Sequence, residues 1–199
     1  MDLKIDLSDT YIETDRLLLR LWRPSDLEDF FEYASEEGVG EMAGWRRHYT
    51  IRDTEKVLNM FMRHKSDLAI CHKSSMKTIG SIGLSSSWAN VDEVLKSLKI
   101  KDLGFVLSKE YWNMGLMTEA LSDLIPYCFE TLNMDAITCG HFSDNLKSQR
   151  VIEKLDFAFI GEREFNSFPL KRIFSHLKYI KFKKVPVHVG EALGLFEYC

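Results

Sequence analysis

Cysteine is scarce in this chain. There are only four, Cys71, Cys128, Cys139 and Cys199, with no CxxC pair and no histidine at zinc-ligand spacing. No disulfide scaffold and no metal site is expected, and the thiols read as buried or incidental ones in a reducing cytoplasm. Glycine (11) and proline (4) are too few for a collagen-like or low-complexity chain. No stretch approaches the ~18 consecutive apolar residues of a membrane-crossing helix. The opening MDLKIDLSDT lacks the basic start and apolar run of a secretory signal, so the expected location is cytoplasmic, with no membrane partner. Basic charge is not in excess either. Lys and Arg number 26 against 30 Asp and Glu, a net charge of −4. That removes the electrostatic reason to expect nucleic acid as the main partner.

What is present suits a packed core. Of 199 residues, 45% are apolar and 12% aromatic, which excludes disorder as the dominant state. Without repeats, linkers or composition shifts, one domain is expected over residues 1–199, its core at about 11–184 and an extension at 185–199. Residues 11–22 read as one strand. Ser25 and Glu28 have the spacing of a capping box, after Pro24 and ahead of a helical stripe of Leu27, Phe30, Phe31 and Ala34. Thr50 and Asp53 offer a second helix start before Val57, Leu58, Phe61 and Met62. Strands follow at 68–71, 78–84 and 102–108, then a helix at 116–132 in which Pro126 predicts a kink or an early end. A strand at 134–142, a helix at 145–155 and strands at 157–165 and 174–183 close the series. The result is an α/β (α+β) chain with a mixed, mostly antiparallel sheet of seven strands.

Two segments carry chemistry. In GFVLSKEYWNMGLMTEA (104–120) an apolar strand runs through a short loop into a helix starting near Gly115. Main-chain NH groups of a first helical turn have no internal partner, and with the helix dipole they favour a phosphate or pyrophosphate. Neither a Walker loop nor a GxGxxG fingerprint is present. The second segment, NLKSQRVIEKLDF (145–157), directly follows the strand DAITCGHF.

Together these resemble the signature segments of the GNAT acetyltransferase superfamily, and more closely its RimJ/RimL-like, ribosomal-protein N-acetyltransferase branch. IETDRLLLRLWRPSDLEDFFEYA and TIGSIGL are similar to that branch too, so the resemblance spans about residues 12–161. It implies a sheet that splays between its fourth and fifth strands, with acetyl-CoA as co-substrate in the wedge. On that resemblance, Phe105, Val106 and Leu107 offer backbone groups to the pantetheine arm. The NH groups of Asn113, Met114, Gly115, Leu116, Met117 and Thr118 hold the pyrophosphate. Asn145 bonds the pantetheine arm, and Ser148 lies near the sulfur. Some positions depart from the pattern. Met117 stands where a small residue is common, so its side chain is expected to turn into the packing. Asp156 replaces a glycine at a turn that calls for a positive φ. Ile152 stands where many relatives have a thiolate-protonating Tyr, which moves that role to Ser148.

The implied reaction is direct attack of a primary amine, from a protein N-terminus or a small molecule, on the acetyl thioester. Candidate bases are Asp102, just upstream of GFVL, and His141, at the end of the next strand; each is equally readable as an ordinary strand residue. Glu119, in the first helical turn, suits a structural role at the dipole. Tyr33, Trp45, His48 and Tyr49 are candidates for the acceptor pocket, or else a helix–helix connection packed on the core. The basic run from Lys171 to Lys184 reads as a solvated strand face or an RNA contact. Two further functions stay open: a catalytically silent acyl-CoA-binding sensor and an RNA-associated accessory protein. The chain is expected to be a monomer or homodimer.

Overall fold

The computed structural model describes residues 3–195. Eight strands form one sheet: β1 (Tyr11–Glu13), β2 (Leu17–Leu21), β3 (Asp67–His72), β4 (Thr78–Ser86), β5 (Ile100–Leu107), β6 (Ala136–Phe142), β7 (Ala158–Ser167) and β8 (Arg172–Phe182). Their order is β1-β2-β3-β4-β5-β6-β8-β7, and every pairing is antiparallel except β5–β6. The helices are α1 (Leu27–Ala34), α2 (Ile51–His64), α3 (Leu116–Glu130), α4 (Leu146–Lys154) and α5 (Val187–Ala192).

The sheet has one strand more than the sequence predicts because 11–22 is a hairpin. Thr14 N donates to Leu17 O (3.0 Å) and Leu17 N to Thr14 Oγ1 (2.9 Å), which turns the chain at Asp15–Arg16. The expected divergence between the fourth and fifth strands therefore falls at β5 and β6. Within the extension, α5 folds and buries Val189 against Ala136 and Ile180. Pro126 does not end α3, which runs on to Glu130. Cys71, Cys128 and Cys139 are buried free thiols, and burial pushes Cys128 up to about 12. Cys199 lies outside the described residues.

The core divides by sheet face. Leu103, Phe105 and Leu107 of β5 pack with Ala120, Leu121 and Leu124 of α3. Val106, one residue out of phase, packs on the other face with Phe30 and Tyr33 of α1 and Leu58 of α2. Strand alternation sends neighbouring side chains to opposite layers, so the two helix pairs reach opposite sides of the same strand.

The capping box predicted at Ser25 is not what starts α1. Asp26 does that work: Arg23 N donates to its carboxylate at 2.7 Å, Arg20 grips both oxygens at 2.8 and 2.7 Å, and Thr78 Oγ1 donates at 2.9 Å. Asp26 is buried at 3% exposure, so β2, β4 and the entry to α1 are fastened through one desolvated carboxylate. Burial pushes that carboxyl up, but the donors from Arg20, Arg23 and Thr78 outweigh it and hold it below the usual range. A carboxyl lowered by folding stabilises the fold at neutral pH, and the contribution is lost as pH falls through its folded value. Asp26→Asn is therefore expected to cost about 3–5 kcal/mol, as for any buried ion pair stripped of one charge. Urea denaturation at pH 7 measures it, and the penalty should shrink in the acid range.

Candidate active site

β5 and β6 pair over four positions only, Ile100↔Ala136 to Leu103↔Cys139. Beyond them Gly104–Leu107 stays with β4, and Gly140–Phe142 stays with β8. Each strand thus turns an unpaired edge toward a gap. Unpaired main-chain donors and acceptors on such an edge bind an extended ligand as an added strand would.

The gap opens into a cavity of about 650 Å³. Of the residues that the resemblance assigns to the acetyl carrier, Phe105, Val106, Leu107, Asn113, Gly115, Leu116, Met117, Thr118, Asn145 and Ser148 all line it. Met114 does not. Its side chain is 54% exposed, and its carbonyl accepts a hydrogen bond from Arg16 Nη1 (3.0 Å). Met117 turns into the core as expected, at 6% exposure, and Asp156 takes the positive φ foreseen for it, +55°.

Local geometry gives the loop before α3 the form of an anion cradle, with amides left free of helix partners. Asn113 (φ +62°) and Gly115 (φ +76°) are both left-handed, and the first helical bond runs from Glu119 N to Gly115 O. The NH groups of Leu116 to Thr118 consequently have no partner inside the helix. Glu119 is not available as a base. Its carboxylate accepts from Thr14 Oγ1 (2.5 Å), Arg16 N (2.8 Å) and Arg16 Nε (2.6 Å). Burial pushes that carboxyl up, and those donors more than reverse it, so it is held low. Through Arg16, bonded to both Glu119 and Met114 O, the β1–β2 turn fixes the loop.

Across the cavity Asn145 caps α4. Its Oδ1 accepts from Ser148 N (3.2 Å) and its Nδ2 donates to Met42 O (3.2 Å), tying α4 to the 41–43 turn. The half-buried Ser148 hydroxyl has no hydrogen-bond partner among the described residues. Ile152 is buried at 1% in the core.

Several cavity residues escape sequence reasoning. Gly38, Val39, Met42 and Ala43 form an apolar wall, and no local pattern marks them. Lys147, Arg150 and Lys154 line the rim from α4. Their i, i+3, i+7 spacing on one helix face is a signal that could have found them. Trp112 donates Nε1–H to Leu107 O (2.7 Å), with Lys147 Nζ 4.7 Å from its ring centroid.

The other candidates lie outside the cavity. Asp102 sits on the opposite face of β5, one residue before the divergence, and accepts from Thr138 Oγ1 at 2.6 Å. Burial pushes its carboxyl up to about 6, against the lowering effects of Thr138 and Lys178. His141 is buried at 3%; its Nδ1 lies 2.8 Å from Phe142 O and its Nε2 3.1 Å from Tyr179 Oη. With both nitrogens engaged in the core, the structure does not bring His141 to the gap. Tyr33 is buried in the α1–α2 layer. Trp45 packs on His48 at 5.3 Å between ring centroids, and His48 Nδ1 meets Thr54 Oγ1 at 2.8 Å. Neither ring reaches the cavity, because both are spent on the connection between α1 and α2. Of the basic run, Lys181 Nζ donates to Leu155 O (2.7 Å) and Lys183 Nζ to Phe129 O (3.0 Å), at the ends of α4 and α3, while Lys171, Arg172 and Lys184 are exposed. Among the described residues no group of three or more His, Cys, Asp or Glu is placed to hold a metal ion, and no helix is long and apolar enough to cross a membrane.

A mixed sheet parted between two parallel strands, with an amide-lined helix start at the mouth, is suited to holding an extended ligand that ends in an anion. Comparison with known proteins makes this specific. Residues 16–158 match the Acetyltransferase (GNAT) domain, and the chain belongs to that family of N-acetyltransferase enzymes. It is 25% identical over 151 residues to "Uncharacterized N-acetyltransferase YoaA" of Bacillus subtilis, covering 73% of this chain and 81% of YoaA. In fold it resembles the ribosomal-protein-S5-alanine acetyltransferase of Vibrio fischeri (TM-score 0.72, 19% identity, 88% of this chain and 98% of that one). It also resembles the microcin C7 self-immunity acetyltransferase MccE, solved with acetyl-CoA and AMP (TM-score 0.69, 16% identity, 84% and 93%).

Gly115→Ala tests the cradle. A Cβ would meet only Arg16 Nη2, at 3.7 Å, so the penalty comes from the left-handed φ rather than from a clash. The expected cost is about 1–2 kcal/mol, read as a lowered Tm of the free protein.

Proposed function

We propose that this chain transfers an acetyl group from acetyl-CoA to a primary amine, a protein N-terminus or a small molecule, by direct attack with both substrates bound. The observation that carries the reading is the gap itself. An unpaired strand edge leads to a loop of partnerless amides, in a cavity of about 650 Å³ with a basic rim. That combination fits an extended arm ending in a diphosphate. The solved MccE complex with acetyl-CoA supports the same co-substrate.

Acetyl-CoA, once bound, supplies an acetyl carbon activated by its thioester. The residues of this chain then do four things. Amides of the α3 first turn hold the diphosphate and fix the carrier's register. β5 holds the arm against its free edge, and the proximity of two held reactants supplies a large part of the rate. Asp102 takes the proton released as the amine nitrogen bonds the acetyl carbon, directly or through one water. Ser148, its hydroxyl unclaimed among the described residues, gives a proton to the sulfur as the carbon–sulfur bond breaks, and solvent restores it. His141 has no role in this scheme, because the core occupies both its nitrogens.

Thiol release from acetyl-CoA, measured with a panel of amines and N-terminal peptides, tests the reading. Asp102→Asn should lower kcat by about 10²–10⁴-fold while thermal shift still reports CoA binding. The base works only when ionised, so wild-type kcat/KM should fall as pH drops through about 6. CoA binding without acetyl transfer to any amine would overturn the proposal and favour a sensor.

A further inference from the structure

We propose that Thr138, oriented by Ser87, is a positioning residue for this reaction, holding the Asp102 carboxylate at the apex of the β5–β6 gap on the side from which the acceptor enters. The inference rests on the acetyl-transfer reading and extends it to residues that no signature segment contains.

The side is set by strand phase. Leu103, Phe105 and Leu107 face α3, the layer where the carrier's amide cradle lies, whereas Asp102, Gly104 and Val106 face the other way. Gly104 is exposed, and a Cβ built on it would meet nothing within 4 Å. Open space therefore adjoins Asp102 on the face opposite the cradle, where an amine can approach without displacing the carrier.

The orientation comes from a one-way chain of hydrogen bonds. Ala89 N donates to Ser87 Oγ (3.0 Å), which leaves the Ser87 proton for Thr138 Oγ1, 2.7 Å away. Thr138 then has its own proton for Asp102 Oδ1 (2.6 Å), in preference to Lys101 O at 3.5 Å. The ionised carboxylate only accepts, so it takes the Thr138 proton, and with one proton per hydroxyl the Ser87 proton then serves Thr138. Thr138 is fully buried (0%) and Ser87 nearly so (6%), which keeps water from competing. The chain occupies Oδ1 and leaves Oδ2 without a partner among the described residues. The charged group facing Asp102 is Lys178 on β8, with Arg163 of β7 beside it; the Cys139 thiol on β6 is near but lies on the α3 face. Lys178 favours the ionised carboxylate; burial opposes it. Thr138 supplies the only hydrogen bond to the carboxylate among the described residues.

The test reads the carboxyl directly. Asp102 is titrated by ¹³C NMR in the wild type, Thr138→Val, Thr138→Ser and Ser87→Ala, and kcat/KM is profiled against pH for each. Removing a hydrogen bond to the charged form should raise the Asp102 midpoint by about one unit or more in Thr138→Val. The acid limb of kcat/KM should rise with it, and activity at pH 7 should fall about twofold for a one-unit rise from about 6, with KM for acetyl-CoA unchanged. Thr138→Ser should restore both, and Ser87→Ala should give a smaller shift in the same direction. An unmoved midpoint in Thr138→Val would overturn the proposal. So would a midpoint that moves while the acid limb stays in place. Absence of turnover in the wild type would instead sink the acetyl-transfer reading, and the NMR arm would still decide whether Thr138 holds the carboxylate.

Discussion

Everything at this site follows from the parting of β5 and β6 after four residue pairs. Neither strand is disordered beyond that point, because each keeps its other neighbour: β5 remains on β4 and β6 on β8. The cost of unpaired edge groups is therefore confined to one side of each strand. Local features hold the gap open. Trp112 takes the Leu107 carbonyl, which removes one acceptor from the edge. Gly140 lies under the His176 ring so closely that a Cβ would come within 2.5 Å of it, so β6 follows β8 there only because it has no side chain.

Parting a sheet at this place gives a single site two faces. The α3 and α4 face offers unpartnered amides and basic side chains, chemistry suited to a diphosphate. The opposite face offers a carboxyl pushed up to about 6 beside open space at Gly104, chemistry suited to removing a proton. An anion cradle and an anionic base would oppose each other in one pocket. Strand alternation puts the unpartnered amides and the Asp102 carboxyl on opposite faces of β5, so the two do not share one wall.

The supports of the site are mostly charged groups that look catalytic in isolation. Glu119 is an acid beside a cofactor loop, yet it is wholly engaged with Thr14 and Arg16. Asp26 is a buried carboxylate in a cluster of donors, and it fastens β2, β4 and α1. His141 sits at the end of a gap-forming strand and is locked by Tyr179. In each case the number of hydrogen bonds already accepted or donated separates a strut from a reagent. Of the candidate acids and bases, Asp102 and Ser148 keep an unclaimed oxygen among the described residues.

The amino-acid sequence by itself determined the fold class, the order of the elements apart from the first hairpin and α5, and the helix start at Gly115. These depend on local signals: apolar period, a glycine before a helix, a polar residue at a cap. Asp156 at a positive φ and Met117 in the core were legible from where the chain departs from the family pattern. Only the tertiary structure decided the hairpin within 11–22, Asp26 in place of Ser25, the 38–43 wall of the cavity, and which candidates face the gap. Those outcomes depend on strand phase and on partners far apart in the chain, Thr14 with Glu119 and Asp102 with Thr138. A side chain's type shows what it is able to do, but which of its atoms are already bonded is settled by packing between segments that no local pattern connects.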